Sequence, residues 1–392
     1  MHRWIRSLRW PAIAVGLAAG TAGALGPQDL LVIVNEHSRE SWEIAREYAV
    51  LRGVPPENIV AVDVPESALG AEAELSLEEF ERHIWAPVMA EMCARGIEDH
   101  ILAWAYSADL PARVRANPRV SLHGATLVGG RLPESGLIAT GLWISALFRG
   151  PAGPGAPTAP SASLERLKAG PAARGLMPAM SLTWSGARGM DREASLALLR
   201  RSASAGPTWA SGTVYLVTGS DIRARCRQWQ FDAAAQELAA LGMSVVVTSN
   251  FPAGARDVSG VMMGLASPEP HRIGEFLPGA VADHLTSLAA VFHSSGQTKL
   301  TAWLHAGACA AAGTVTEPYA IWMKFPSARL FAHLARGCTL LEAYYQSVAS
   351  PLQLFIVGDP LMAPCASPPR VRLRRAEAER AGILVFEASA EP

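Results

Sequence analysis

Twice between Gly279 and Tyr319 the chain runs through a short stretch of small and apolar residues and ends it in a polar cluster. The first stretch is GAVADHLTS, following Pro278. Its length and flanks are those of a buried strand. The second is AGACAAAGTVTEP, where Ala306 to Val315 is too small-chained for an amphipathic helix face. Gly307 and Gly313 also disfavour helix. Strands made of such small residues let covering segments approach closely. The first ends in Asp283, His284, Thr286 and Ser287, the second in Thr314, Thr316 and Glu317. Ligands in open parallel sheets bind outside the carboxyl ends of strands, so these two ends form the leading candidate site.

Upstream, the chain alternates strand and helix. DLLVIVN (Asp29–Asn35) reads as a buried strand. Ser38 can cap a helix that runs to about Gly53. Ile59–Val64 reads as a strand, and a helix follows from about Ser76 to Arg95, bent near Pro87. Asp99–Tyr106 reads as a third strand, ending in Ser107-Ala108-Asp109. Such alternation implies parallel strands flanked by helices, an α/β fold. Residues 112–210 read as an irregular insertion covering the sheet edge or forming a lid. Within it Leu137–Arg149 is an apolar element of undecided type. Pro151–Pro160 is a Pro/Gly-rich loop, and Arg192–Ala203 is a helix capped by Asp191. Order resumes with strands at Gly212–Thr218, Met243–Thr248 and Val258–Leu265, and a helix at Asp221–Leu241. After the two small-residue strands come helices at about Ala328–Gly337 and Thr339–Ser347, then a strand at Leu352–Val357. The division is thus 28–111, 112–210, 211–366 and a peripheral tail, 367–392, read as an edge hairpin.

GAVADHLTS, AGAxAxxGTVxEP, LxEAYYxSV and GDPLxxP, in that order, resemble the signature of a family of exported bacterial proteins with no assigned activity. YSADLP at 106–111, PAMSL at 178–182 and WQF at 229–231 fit the same family. More remotely, residues 210–365 are similar to the gingipain-like cysteine peptidases of the caspase-like class. That similarity implies a caspase-like C-terminal unit with a related N-terminal strand–helix half. The peptidases place His-Gly after one strand and Cys after the next. Here the corresponding ends read Met263-Gly264-Leu265-Ala266 and Leu285-Thr286-Ser287, so the resemblance implies the fold without the peptidase dyad.

The 392 residues are half apolar with a formal net charge of −1, which disfavours a nucleic-acid partner. His2, Arg3, Arg6 and Arg9 precede an Ala/Gly-rich apolar run ending in Ala22-Gly23-Ala24. Residues 1–24 read as a cleaved signal peptide, placing the mature protein in the periplasm or outside the cell with no membrane span. Five cysteines leave at least one thiol unpaired in such a compartment. No GxGxxG or P-loop and no Cys/His zinc spacing occurs, so no cofactor or metal is expected.

Two functions follow from different classes. One is a non-peptidase protein that binds a ligand or an envelope protein at strand ends, using Ser107, Asp109, Asp283, His284, Thr286, Ser287 and Glu317. The other is an envelope hydrolase with Cys309 or Ser287 as nucleophile and His284 as base. Cys309 sits early in its strand, where a buried thiol is the plainer reading. Asp283 and His284 are neighbours on a strand and point to opposite faces, so one cannot orient the other. Glu317 with Asp109 or Asp283 could form a carboxylate pair, against the plainer reading of a turn cap. His123 reads as a turn histidine. A structural component of a surface assembly is a third reading, and it would show as a large apolar patch.

Overall fold

The computed structural model describes residues 24–70 and 72–366, and the backbone of 370–375 and 386–391. The segment read as a signal peptide, apart from Ala24, lies outside the described residues. One ten-stranded sheet organises the chain. Its strands are β1 (Leu30–Asn35), β2 (Ile59–Val62), β3 (Ala103–Tyr106), β4 (Ala179–Ser181) and β5 (Thr213–Val217). They are followed by β6 (Ser244–Thr248), β7 (Val258–Gly264), β8 (Phe276–Leu285), β9 (Ala310–Thr314) and β10 (Leu354–Gly358). The spatial order is β2-β1-β3-β4-β10-β9-β8-β7-β5-β6. Helices flank the sheet, and the central strands are buried throughout, as expected of α/β strands covered on both faces.

Every neighbouring pair is parallel except one. β10 runs antiparallel to β9, pairing Ala310 with Gly358 and Thr314 with Leu354, yet parallel to β4. The sheet is therefore two parallel blocks pointing in opposite directions. β2, β1, β3, β4 and β10 form one block, and β9, β8, β7, β5 and β6 form the other. The carboxyl ends of β1 and β3 lie at one edge of the sheet, and those of β7, β8 and β9 at the other.

Local chemistry explains the elements. α1 (Arg39–Arg52) starts at Ser38, whose hydroxyl accepts from Ser41 N, and stops at Gly53 in the left-handed conformation. The helix before Arg95 is continuous from Leu77 but widens into a π-type turn at Glu81–Trp85, just ahead of Pro87. A proline lacks the N–H that a regular turn there would use. α2 (Leu122–Leu127) packs against β4 and β10. α3 (Arg192–Ala203) has Asp191 as its cap. The helix expected over Asp221–Leu241 is broken into α4 (Ile222–Arg225), a single 3₁₀ turn at Gln228–Gln230 and α5 (Phe231–Ala240). Arg227 leaves helical geometry at the break. α6 (Leu300–His305), α7 (Arg329–Ala335) and α8 (Leu340–Ser347) complete the layers.

Residues 112–210 are not an edge cover or a lid. They supply β4, which stands between β3 and β10 in the interior of the first block. They also supply Arg113–Arg115 and Val120–Ser121, which form a small sheet with Glu74–Ser76. Leu137–Arg149 resolves into a short helix, Ser135–Thr140, followed by irregular chain. In the tail, Arg370–Arg375 and Phe386–Glu391 pair antiparallel as a ribbon separate from the main sheet.

Gly313 shows why β9 is built of small residues. A Cβ there would lie 2.5 Å from the Ala289 Cβ and 2.9 Å from its carbonyl carbon, where the chain after β8 crosses the strand. Asp359, after β10, breaks the strand and ties it to the helix layer of its own block. Its buried carboxylate accepts from Leu361 N (3.0 Å), Tyr48 Oη (2.8 Å) and Arg52 Nε (2.7 Å), the last two from α1.

Candidate functional site

β1 is followed first by β2 on one side and then by β3 on the other. The chain therefore diverges between the carboxyl ends of β1 and β3, where open sheets form a crevice. A cavity of about 610 Å³ opens there, lined by Asn35, Ser38, Glu40, Asp63, Glu66 and Asp109 among others.

Its floor is fixed by a closed set of hydrogen bonds. Asn35, the last residue of β1, donates from Nδ2 to the Asp109 carbonyl (2.8 Å) and accepts at Oδ1 from His37 N (3.1 Å). Ser38 both caps α1 and donates to Asp109 Oδ2 (2.5 Å). Ser185, beyond β4, donates to Asp109 Oδ1 and accepts from Asp109 N, each at 2.8 Å. Asp109 has a φ of +53°, a conformation that a short polar side chain tolerates better than most. Ser107 is buried and donates to the Ser41 carbonyl (2.7 Å), tying β3 to the first turn of α1. Ser107 thus positions the cleft, and Asp109 lines it.

Glu40 is the unsettled group. It lines the cleft half-buried, and its Oε1 is shut off from solvent with no hydrogen-bond partner. Desolvation raises its pKa above the ordinary carboxylate value, and the charges of Asp109 and Asp191 add to the rise while Arg192 opposes it. At the rim, His37 Nε2 lies 3.0 Å from Asp63 Oδ1, both exposed.

The other expected residues lie elsewhere. Ser287 donates to Glu317 Oε1 (3.0 Å) at the ends of β8 and β9, on the opposite edge from Asp109. These two do meet, but in a surface contact where Glu317 also caps Tyr319 N (2.8 Å). Thr286 is buried and donates to Gln297 Oε1 (2.6 Å). Asp283 is no site carboxylate: it forms a buried ion pair with Arg227, whose Nη1 also donates to the Pro326 carbonyl (3.1 Å). His284 cannot act as a base. Its Nδ1 accepts from Trp303 Nε1 (2.7 Å), which leaves Nε2 to carry the proton and donate it to the Thr298 carbonyl (3.1 Å). Burial pushes its pKa down to about 3.

Cys309 precedes β9 in register opposite Ala280, four residues from His284 along the neighbouring strand. At 3.3 Å per residue that places them about 13 Å apart. Its sulfur is buried, accepts from Gly279 N (3.2 Å), and burial raises its pKa. The expected nucleophile and base therefore do not form a catalytic pair. His123 lies not in a turn but in α2, fully buried between the rings of Phe355 and Tyr106. It accepts from Ile356 N at Nδ1 (3.1 Å), bonds Ser181 Oγ (3.0 Å), and burial lowers its pKa to about 3. Among the described residues, no group of His, Cys, Asp or Glu is arranged to hold a metal ion.

The sequence reading overlooked Asn35, Glu40, Asp63 and Ser185. The signal was present: NEHSRE, starting at the last residue of β1, is a polar cluster at a strand end like those at β8 and β9. Compared with family models, curated proteins and solved structures, the chain matches none.

Proposed function

We propose that the chain is an exported binding protein, with a caspase-like C-terminal half lacking a peptidase dyad. Its ligand is a compact cation held at the carboxyl ends of β1, β2 and β3. The leader-like residues 1–24 support export. The adjacent ends of β7 and β8, which carry no imidazole–thiol pair, support the non-peptidase reading. The observation that carries the ligand class is the unpartnered Oε1 of Glu40 in a cleft shared with Asp109, Asp63 and Glu66, where the arginine of the lining, Arg39, is already paired with Glu43. A buried carboxylate oxygen without a donor is costly. A protonated amine or guanidinium entering the cleft supplies the counter-charge, and a turn of the Glu40 side chain towards it brings Oε1 the missing donor.

Calorimetric titration of residues 25–392 with primary amines, polyamines and guanidinium compounds, beside neutral isosteres, tests this. The cations bind and their isosteres do not, and Glu40→Gln weakens binding by about tenfold, equivalent to about 1.4 kcal/mol. Equal binding of neutral or anionic analogues, or unchanged affinity in Glu40→Gln, overturns it.

A further inference from the structure

Glu342 lies far from the cleft, in the first turn of α8, and is completely buried. Its Oε2 closes a capping box with Thr339, accepting from Thr339 N (2.8 Å) and Thr339 Oγ1 (3.1 Å). Its Oε1 reaches away from the helix and accepts from Leu164 N (2.7 Å) and Leu25 N (3.1 Å). Among the described residues no cationic side chain pairs with it. Arg166 and Arg336 line the adjoining cavity of about 380 Å³, together with Ala24 and Cys338, but neither forms an ion pair with Glu342. A carboxylate taken out of water with no counter-ion is an expensive arrangement.

One of those donors is unlike the rest. Leu25 N belongs to the residue immediately after Ala22-Gly23-Ala24, the small-x-small sequence that closes the apolar leader. The Leu25 side chain is itself buried in the core. We infer that proteolysis after Ala24 makes Leu25 the mature N-terminus, and that its new α-ammonium is the missing counter-ion of Glu342. Water adds across the Ala24–Leu25 amide before the segment is buried: the carboxylate leaves with the leader, and the amine nitrogen takes up protons and on folding occupies the place of the Leu25 nitrogen. An N–H···O contact thereby becomes a buried N⁺–H···O⁻ ion pair, so cleavage tightens the fold as well as freeing it from the leader.

The inference rests on the export reading, and its test separates the two. The full chain, expressed in a bacterial host with its own leader, is recovered and its N-terminus sequenced. A start at Leu25 is the expected result. A start at any other residue overturns this inference while leaving export standing, and an unprocessed chain overturns both. Thermal unfolding of purified residues 25–392 is then compared with residues 23–392, whose Leu25 nitrogen remains an amide. The free-amine form melts several degrees higher at pH 7. That advantage is full between the raised carboxyl pKa of buried Glu342 and the ordinary α-amino pKa of about 8, and it disappears as pH rises through the raised α-amino value in the folded protein. Glu342→Gln abolishes the difference. Equal melting of the two wild-type forms at pH 7, or a difference that persists at high pH, overturns the ion pair even if the Gln variant does not fold.

Discussion

The sheet contains two crossover points of the same kind, and they have been put to different uses. In one block the order β2-β1-β3 opens a crevice between β1 and β3. In the other, β6-β5-β7 opens one between β5 and β7. The first is followed by a tight Asn35-Glu36-His37-Ser38 turn into a long helix, which leaves the strand ends uncovered. The second is filled by its own chain. Gly264 ends β7, and a Cβ there would lie 2.2 Å from both Ala224 N and the Arg223 carbonyl carbon, so α4 rests directly on the strand end. Arg227, two residues past α4, enters the protein and neutralises Asp283. Strand order makes a crevice available, and the first segment after the strand decides whether it stays empty.

The comparison breaks most readily at Arg227. Arg227→Ala or Asp283→Ala leaves one charge buried alone and costs about 3–5 kcal/mol, read as a lower denaturant midpoint. Asp109→Asn at the open crevice costs less, about 1–2 kcal/mol, because the amide oxygen keeps one of the two hydroxyl donors, Ser38 and Ser185. Equal costs at both places would erase the distinction between a filled and an open crevice. Next in size is Gly264→Ala, which must lift α4 from the strand end and costs about 1–3 kcal/mol by overcrowding. An unaffected melting temperature would show that the plug is not held by this contact.

Glu40→Gln sharpens the comparison through pH. Because the folded protein holds the Glu40 proton more tightly than the unfolded chain does, stability falls as pH rises from the ordinary carboxylate pKa through the raised one. Removing the charge therefore raises the melting temperature slightly at pH 7 and leaves it unchanged at pH 3. Cation affinity in the wild type moves the opposite way, weakening as pH falls through the same window. A Glu40→Gln variant less stable than wild type at pH 7 would mean that the carboxylate is already paired. The smallest effect concerns thiols. Brief iodoacetamide treatment of the native protein, followed by mass spectrometry, modifies exposed Cys93 and spares buried Cys309. Modification of Cys309 at a comparable rate would return it to candidacy as a nucleophile.

The α/β class, the apolar strands and the caps at Ser38 and Asp191 were legible because each depends on residues within a few positions of one another. Strand limits were less so. Asp99–Leu102 and Ala306–Cys309 read as strand but lie outside β3 and β9, since turns and a helix end claim them. β4 escaped because three residues carry no periodicity. The expected site came apart for a larger reason. Nothing in the residues of β10 says that it runs against β9 and with β4, and that single reversal sends Asp109 and Ser287 to opposite edges. Asp283 and His284 were legible as polar residues, but their partners Arg227 and Trp303 stand 56 and 19 positions away.

β10 has a temporal consequence. The strand that joins the blocks is the last of the ten to leave the ribosome. Until Leu354–Gly358 arrives, β4 and β9 each present a bare edge, and the Asp359 link to α1 does not exist. Two partial sheets with unmatched borders cannot close on each other, and contacts so distant along the chain form slowly. The complete ten-stranded sheet thus forms only after nearly all of the chain has been made.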